Sequence, residues 1–343
     1  MKNVKRVALP DFAGKCVLSR TFGLEDLQIS RGEEAVEVSP CASERGRVMV
    51  EVDLSGGSEI EFLSIEVLDL LLSSYENHFT EFKISKKLGF ARLKWKAYKI
   101  YIYESGKFKI RFAHSREDAL RMLNRVLNLI RGSLLCSECG RPSVECALGI
   151  CGNCLKDDSC RNIRLDESFN SPLLIRGYDV IASSFPDFEK LKNCFLEEDE
   201  GWKMTRNRIE RKLREAVEYS MSFTLEADGL IEMGMGVVLT GLAWDFFRFL
   251  DSVENVFFQN EFRIQDLKSE FATLFEKSLE LKRELLYALT FQDSKIVSYD
   301  HVLSEIKDLF TEIENSNAGE RLNHGLKDLE CSVLGFVVIL ESF

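Results

Sequence analysis

Short segments of alternating apolar and polar residues dominate the chain between residues 47 and 113. A period of two is typical of β-strands that bury one face. The pattern predicts strands over residues 48–54, 80–85, 90–96, 98–103 and 107–112. It also predicts one helix that begins at a Ser58/Glu61 capping box and runs to Tyr75, and a second from Ser115 to Arg131. The order β-α-β-β-β-β-α indicates an antiparallel sheet covered by two helices.

The two faces of this predicted sheet differ in chemistry. Positions 82, 84, 93, 95, 100, 102, 108, 110 and 112 carry large apolar side chains, which we expect the helices to cover. The opposite, open face collects cations and two tyrosines, namely Lys83, Arg92, Lys94, Lys96, Lys99, Tyr101, Tyr103, Lys107, Lys109 and Arg111. Because so many like charges repel one another, this face favours an anionic partner.

From residue 189 onward, apolar residues recur with helical periodicity. The pattern predicts helices over residues 206–223, 229–258, 260–289, 299–313 and 321–340, and irregular structure over residues 165–186. Long helices with short links are typical of a bundle. We therefore expect an α+β protein of four parts. These are a β-rich N-terminal extension (1–46), a basic sheet domain (47–132), a cysteine-rich metal module (133–165) and a C-terminal α-helical bundle (166–343).

The charge of the chain is unevenly distributed. The 343 residues carry a net charge of −11, yet residues 80–131 hold 14 basic and four acidic residues, a local net charge of +10. Nucleic acid is the commonest partner of such a block. An acidic protein surface is an alternative partner, as is the acidic remainder of the same chain.

The sheet region also contains a local sequence pattern. Residues 101–110 have the sequence YIYESGKFKI and residues 115–119 the sequence SREDA. This succession of strand, Ser-Gly-Lys turn, strand and helix start resembles the closing hairpin and helix of a TATA-binding-protein half-domain, over residues 47–132. The resemblance implies a curved antiparallel sheet with both helices behind it, and an open face that binds DNA. Only one half-domain is found, and its open face is lysine-rich rather than apolar, so the resemblance carries over the fold but not promoter recognition.

Six of the ten cysteines lie between residues 136 and 160. Cys136/Cys139 and Cys151/Cys154 form two Cys-x-x-Cys pairs, and each pair can bind a metal ion from one tight turn. The spacing predicts a closed four-cysteine site and resembles a zinc ribbon over residues 136–154. Four thiolates leave no open coordination position, so the predicted zinc is structural.

A second grouping of the same cysteines predicts different chemistry. Cys146, Cys151 and Cys154 have the spacing of a plant-type [2Fe–2S] cluster, with Cys160 as the fourth ligand. The surrounding loop is similar to the cluster loop in electron-transfer subunits of dihydroorotate dehydrogenase type. This alternative predicts a redox or cofactor-assembly protein. Neither grouping uses all six cysteines.

Motifs of several other function classes are missing from the sequence. There is no Walker A, Gly-x-Ser-x-Gly or His-Glu-x-x-His pattern, which lowers the expectation of an enzyme. The most apolar stretch, residues 229–250, carries Glu232, Asp245 and Arg248, which argue against a membrane span. The N-terminus lacks the apolar run of a secretory signal. We expect a soluble, cytoplasmic protein.

The sequence as a whole favours a nucleic-acid-binding protein. The cations of the open face from Arg92 to Arg111 are expected to neutralise phosphates, and Tyr101 and Tyr103 to stack on bases. The helical bundle is expected to mediate assembly into a homodimer or a larger complex, with the apolar residues 333–340 as a candidate interface. The alternatives are the iron–sulfur protein, whose basic face would dock an acidic partner protein, and a scaffold subunit. One TATA-binding-like half beside a zinc knuckle suggests an archaeal source.

Overall fold

The structure, a computed structural model, describes residues 6–9, 36–40, 46–54, 61–136, 139–148, 161–164, 171–197, 201–227, 230–256, 268–289, 300–315, 327, 329–330 and 332–333. These residues form a six-stranded antiparallel sheet, a two-stranded antiparallel pair and a helical C-terminal region. The predicted α+β class and the helical second half of the chain are confirmed.

Eight strands are described, in two sheets. They are β1 (Arg6–Leu9), β2 (Val36–Pro40), β3 (Val48–Asp53), β4 (Glu81–Ser85), β5 (Phe90–Trp95), β6 (Tyr98–Tyr103), β7 (Lys107–Ala113) and β8 (Arg161–Arg164). β1 pairs with β8, and the larger sheet has the order β2-β3-β7-β6-β5-β4. The five strands predicted between residues 48 and 112 are confirmed to within one residue at each end. β2, from the predicted N-terminal extension, adds an edge strand beside β3.

Nine helices are described. They are α1 (Ile65–Ser74), α2 (Arg116–Ile130), α3 (Ser143–Ala147), α4 (Pro172–Ala182), α5 (Phe185–Glu197), α6 (Trp202–Glu226), α7 (Leu230–Glu254), α8 (Lys268–Leu289) and α9 (Asp300–Glu314). α2 begins where predicted, because the Ser115 side chain accepts a hydrogen bond from the Asp118 N–H. Of the helix predicted over residues 321–340, only five residues are described, and these are helical.

Two helix predictions are wrong. α1 begins after Ser64, whose side chain accepts from the Val67 N–H, and not at Ser58. The N–H groups of Phe62 and Leu63 instead donate to the Glu104 carbonyl in the β6–β7 turn, which keeps these residues extended. The segment predicted to be irregular contains α4, which begins with a proline and the Ser171 cap.

Burial along the sheet follows the predicted alternation except at its last position. Of the residues predicted to lie under the helices, six on β5, β6 and β7 are buried in the hydrophobic core, namely Leu93, Trp95, Ile100, Ile102, Phe108 and Ile110. Phe82 and Ile84 of the edge strand β4 are half-buried and pack against this core. Phe112, however, has a φ of +68°, and the pairing of β3 with β7 shifts register beside it. This irregularity turns Ala113 to the buried face and leaves Phe112 half-exposed.

α6 connects the sheet domain to the helical region, because it contacts α1 as well as α4, α5 and α7. Among the described residues, one helical segment, Glu232–Glu254 in α7, is long and apolar enough to cross a membrane. Of its most apolar window, 83% is buried inside the protein. The helix therefore has the burial of a core helix, which is consistent with a soluble protein.

Candidate metal centre and nucleic-acid interface

Three cysteines come together between the sheet and the helical region. The ligand atoms of Cys136, Cys139 and Cys146 all lie within 4.8 Å of one another, and the sulfurs of Cys139 and Cys146 are 3.5 Å apart. The N–H of Gly140, which follows Cys139, donates to the Cys136 carbonyl at 2.8 Å and holds the two cysteines near each other. Gly140 has a φ of +69°, a conformation that favours glycine.

This donor set fits a thiophilic metal ion. Zn–S bonds of about 2.3 Å in a tetrahedron place the sulfurs about 3.8 Å apart, close to the 3.5 Å between Cys139 and Cys146. Burial raises the pKa of the Cys139 thiol to about 11, with the neighbouring Cys136 contributing in the same direction. Three thiolates at this spacing therefore need a cation to hold them ionised. The residues present can hold a metal ion.

The structure places the predicted cysteines only in part. Cys136 and Cys139 of the zinc set are together, and they are joined by Cys146, which the sequence analysis assigned to the iron–sulfur set. Cys151, Cys154 and Cys160 lie outside the described residues.

The cysteine cluster is anchored to α7 by one buried carboxylate. Glu145, next to Cys146 in α3, accepts hydrogen bonds from Arg141 at 2.9 Å, Arg248 at 3.1 Å and the Trp244 indole N–H at 3.3 Å. Two cations and an indole compensate the burial of this carboxylate. Sequence analysis missed this contact, because Arg248 was considered only as evidence against a membrane span.

On the open face of the sheet, the charges fall into two regions. β3 contributes Glu51 and Asp53, which pair with Lys109 at 2.6 Å and Lys107 at 3.8 Å on the neighbouring strand β7. The hydrogen bond that Lys109 donates to the Glu51 carboxylate raises the pKa of Lys109, although burial acts in the opposite direction. Two of the predicted nucleic-acid contacts are thus already paired within the protein.

The remaining cations lie towards the other edge of the sheet. Lys83, Arg92, Lys94 and Lys99, here called the basic half-face, occupy β4, β5 and β6. Among the described residues, none of the four forms an ion pair or a hydrogen bond through its side chain. Cross-strand pairing aligns Arg92 with Lys83 and Lys94 with Lys99. On β4, Glu81 lies opposite Lys94, but among the described residues the two form no ion pair. Like charges directly opposite one another are unfavourable without an anion.

Two predicted contact residues lie differently from the rest. Lys96 is not within a strand but in the β5–β6 turn, with a φ of +55° and an exposed side chain. The Arg111 guanidinium lies 5.3 Å from the ring centroid of Phe112 at the β7 irregularity. Tyr101 and Tyr103 lie on the open face as predicted, and both are half-exposed.

Comparison of the chain with protein-family models, with curated proteins and with solved structures gave no significant match. The resemblances to a TATA-binding half-domain and to a zinc ribbon therefore stay predictions from the sequence.

Proposed function

We propose that this protein binds nucleic acid through the basic half-face and that the cysteine cluster holds a structural zinc ion. The observation that carries the proposal is the set of four neighbouring cations without a carboxylate partner among the described residues. Self-repulsion within this set is relieved when phosphates bind. The acidic residues Glu51 and Asp53 of β3 would repel a phosphate backbone and direct it towards the basic half-face, at the edge of which lies the acidic residue Glu81 of β4.

The affinity is expected to depend steeply on salt. Four cations that each neutralise one phosphate give a slope of log K against log salt of about −3 for a single strand. We propose that binding takes place in the cytoplasm, where the thiols of the cysteine cluster stay reduced.

The test is fluorescence anisotropy with labelled oligonucleotides over a range of salt concentrations. The double variant Lys94→Glu/Lys99→Glu reverses two charges of the half-face and is expected to weaken binding roughly tenfold or more and to flatten the salt slope by at least about one unit. The matched control is Lys190→Glu/Lys307→Glu, which makes the same charge change at exposed positions of α5 and α9. Equal binding by the two double variants would show that the basic half-face does not bind the nucleic acid.

Zinc is the proposed metal because the cluster contains the Cys136/Cys139 pair. We infer that Cys136, Cys139 and Cys146 supply three ligands. Cys151 and Cys154, which complete the four-cysteine set predicted from the sequence, lie outside the described residues. Such a site would stabilise the contact between the sheet domain and α7.

Metal analysis and a visible absorption spectrum on anaerobically purified protein test this assignment. One zinc per chain, lost in both Cys136→Ser and Cys146→Ser, is the expected result. Iron and sulfide that persist in Cys136→Ser would instead support the cluster of Cys146, Cys151, Cys154 and Cys160. Cys194→Ser is the control, because this buried cysteine lies on α5, outside the cluster.

A further inference from the structure

Three aromatic side chains lie side by side on the open face of the sheet. Phe90 begins β5, and Tyr101 and Tyr103 lie on β6. The ring centroids of Phe90 and Tyr103 are 5.2 Å apart, and Phe90 and Tyr101 are stacked with centroids 6.0 Å apart. All three residues are half-buried and keep part of their surface accessible. They are called the aromatic cluster below; the sequence analysis noted the tyrosines but not Phe90.

The aromatic cluster begins at one end of β5 and β6 and meets the basic half-face in the middle of these strands, where Tyr101 lies beside Arg92. Cross-strand pairs on β5 and β6 form three successive rows, Phe90 with Tyr103, Arg92 with Tyr101, and Lys94 with Lys99. Rows on one face of a sheet are about 6.7 Å apart. The surface therefore changes from aromatic to cationic over a distance similar to the size of one nucleotide.

We propose that the ligand of this face is single-stranded nucleic acid, with bases stacked on the aromatic cluster and phosphates on the basic half-face. The inference rests on the proposed nucleic-acid-binding function and names the class of ligand. The strand would run across β5 and β6, with its bases towards the Phe90 end and its phosphates towards the Lys94 end, where Glu81 of β4 forms the boundary of the site.

The chemistry of the cluster favours a single strand over a duplex. Aromatic side chains bind the flat faces of bases, and a duplex hides these faces inside its stack. Tyr101 and Tyr103 are about 6.7 Å apart along β6, about twice the 3.4 Å spacing of stacked bases, so neighbouring bases that bind them must be splayed apart. The Phe90 side chain has no polar atom with which to bind a phosphate, and base stacking is the contact that makes use of its ring.

The experiment compares short oligo(dT), oligo(U) and a DNA duplex as anisotropy probes, with poly-glutamate as a competitor. Wild-type protein is expected to bind one or both single strands at least about tenfold more tightly than the duplex. Phe90→Leu/Tyr103→Leu keeps apolar bulk but removes two rings, and is expected to weaken single-strand binding about tenfold or more while leaving the salt slope unchanged. Circular dichroism and a thermal melt of this double variant and of the single variant Tyr103→Leu show whether weaker binding results from the lost rings or from a failure to fold.

The outcomes distinguish this inference from the function on which it rests. Tighter binding of the duplex, or wild-type single-strand affinity in folded Phe90→Leu/Tyr103→Leu, would overturn the single-strand inference, while loss of binding in Lys94→Glu/Lys99→Glu would still uphold the basic half-face. Competition by poly-glutamate as strong as that by oligo(dT) would show that charge alone determines binding to this surface, and would overturn the single-strand inference. Binding to none of the three probes would overturn both proposals.

Discussion

Lys282 on α8 and Asp245 on α7 form an ion pair in the helical core, and its disruption gives a sharp test of the packing described above. Their side chains are only 1% and 2% exposed. The Lys282 ammonium also donates to the Ser332 carbonyl at 2.9 Å and lies 5.2 Å from the ring centroid of Phe249. Asp245 Oδ1 has no hydrogen-bond partner among the described residues. The carboxylate therefore depends on the lysine for most of its compensation.

The replacement Lys282→Met keeps an unbranched side chain but leaves the Asp245 carboxylate unpaired in an apolar environment. Removal of one partner from a buried ion pair costs about 3–5 kcal/mol, a large part of the roughly 5–15 kcal/mol that stabilises a folded domain. The double variant Asp245→Leu/Lys282→Met is expected to recover most of this loss, because the cost of desolvating a buried pair is comparable to its attraction.

The loss of stability in Lys282→Met is also expected to depend on pH. Burial raises the pKa of Asp245 to about 6 even beside Lys282, which acts in the opposite direction. A carboxyl group whose folded pKa is raised destabilises the fold when it is ionised, above that pKa, and is relieved by protonation below it. The destabilisation of Lys282→Met is therefore expected to be largest at pH 7 and to shrink towards pH 5.

Urea unfolding followed by circular dichroism at both pH values measures the effect. Lys277→Met on the same helix is the matched control. Its ion pair with Glu305, at 2.7 Å, is partly exposed, so that solvent screens the interaction and its loss should cost much less. Equal losses of unfolding free energy in Lys282→Met and Lys277→Met would refute this account of the core.

Two further substitutions test the connection between α3 and α7 and the start of α2. Gly241→Ala would place a Cβ 2.8 Å from the Val144 carbonyl oxygen, so we expect a loss of about 1–3 kcal/mol in the free energy of unfolding by urea, together with faster release of the proposed metal ion to a chelator. A loss of stability without faster metal release would show that the cysteine cluster is independent of α7. Burial raises the pKa of Asp118, but hydrogen bonds from the His114 N–H and the Tyr98 hydroxyl outweigh it and lower the pKa overall. Asp118→Asn is expected to destabilise the protein by about 1 kcal/mol at pH 7, and the difference from wild type should narrow below about pH 4, because a lowered carboxyl pKa stabilises only when the group is ionised; a difference unaffected by pH would contradict this.

Local patterns predicted most of the sheet domain. Strand alternation and the Ser115 cap act over a few residues, so the sequence around β4 to α2 was sufficient to place these elements. The start of α1 was predicted wrongly, because Phe62 and Leu63 pair with the turn at Glu104, about 40 residues later in the chain. This contact between residues far apart in the sequence overrides the local capping pattern at Ser58. It cannot be predicted from the residues next to the helix.

The candidate interface shows the same division. The sequence was enough to predict a cation-rich face, since alternation places Arg92, Lys94 and Lys99 on one side of the sheet. Only the strand order shows that Lys107 and Lys109 pair with carboxylates, because β3 lies next to β7 although more than 50 residues separate them in the chain. The aromatic cluster likewise depends on the register between β5 and β6.

The sequence by itself determined which residues have the chemistry to bind a metal and an anion. Cysteine spacing and charge density are properties of neighbouring residues, and they indicate a ligand type whatever the rest of the chain does. The tertiary structure decided which of these groups act together. It brought Cys146 to Cys136 and Cys139, joined Glu145 to Arg248 of α7 and buried Asp245 with Lys282. Such pairings depend on how helices and strands pack, and packing is set by the burial of apolar surface over the whole chain rather than by any short segment of it.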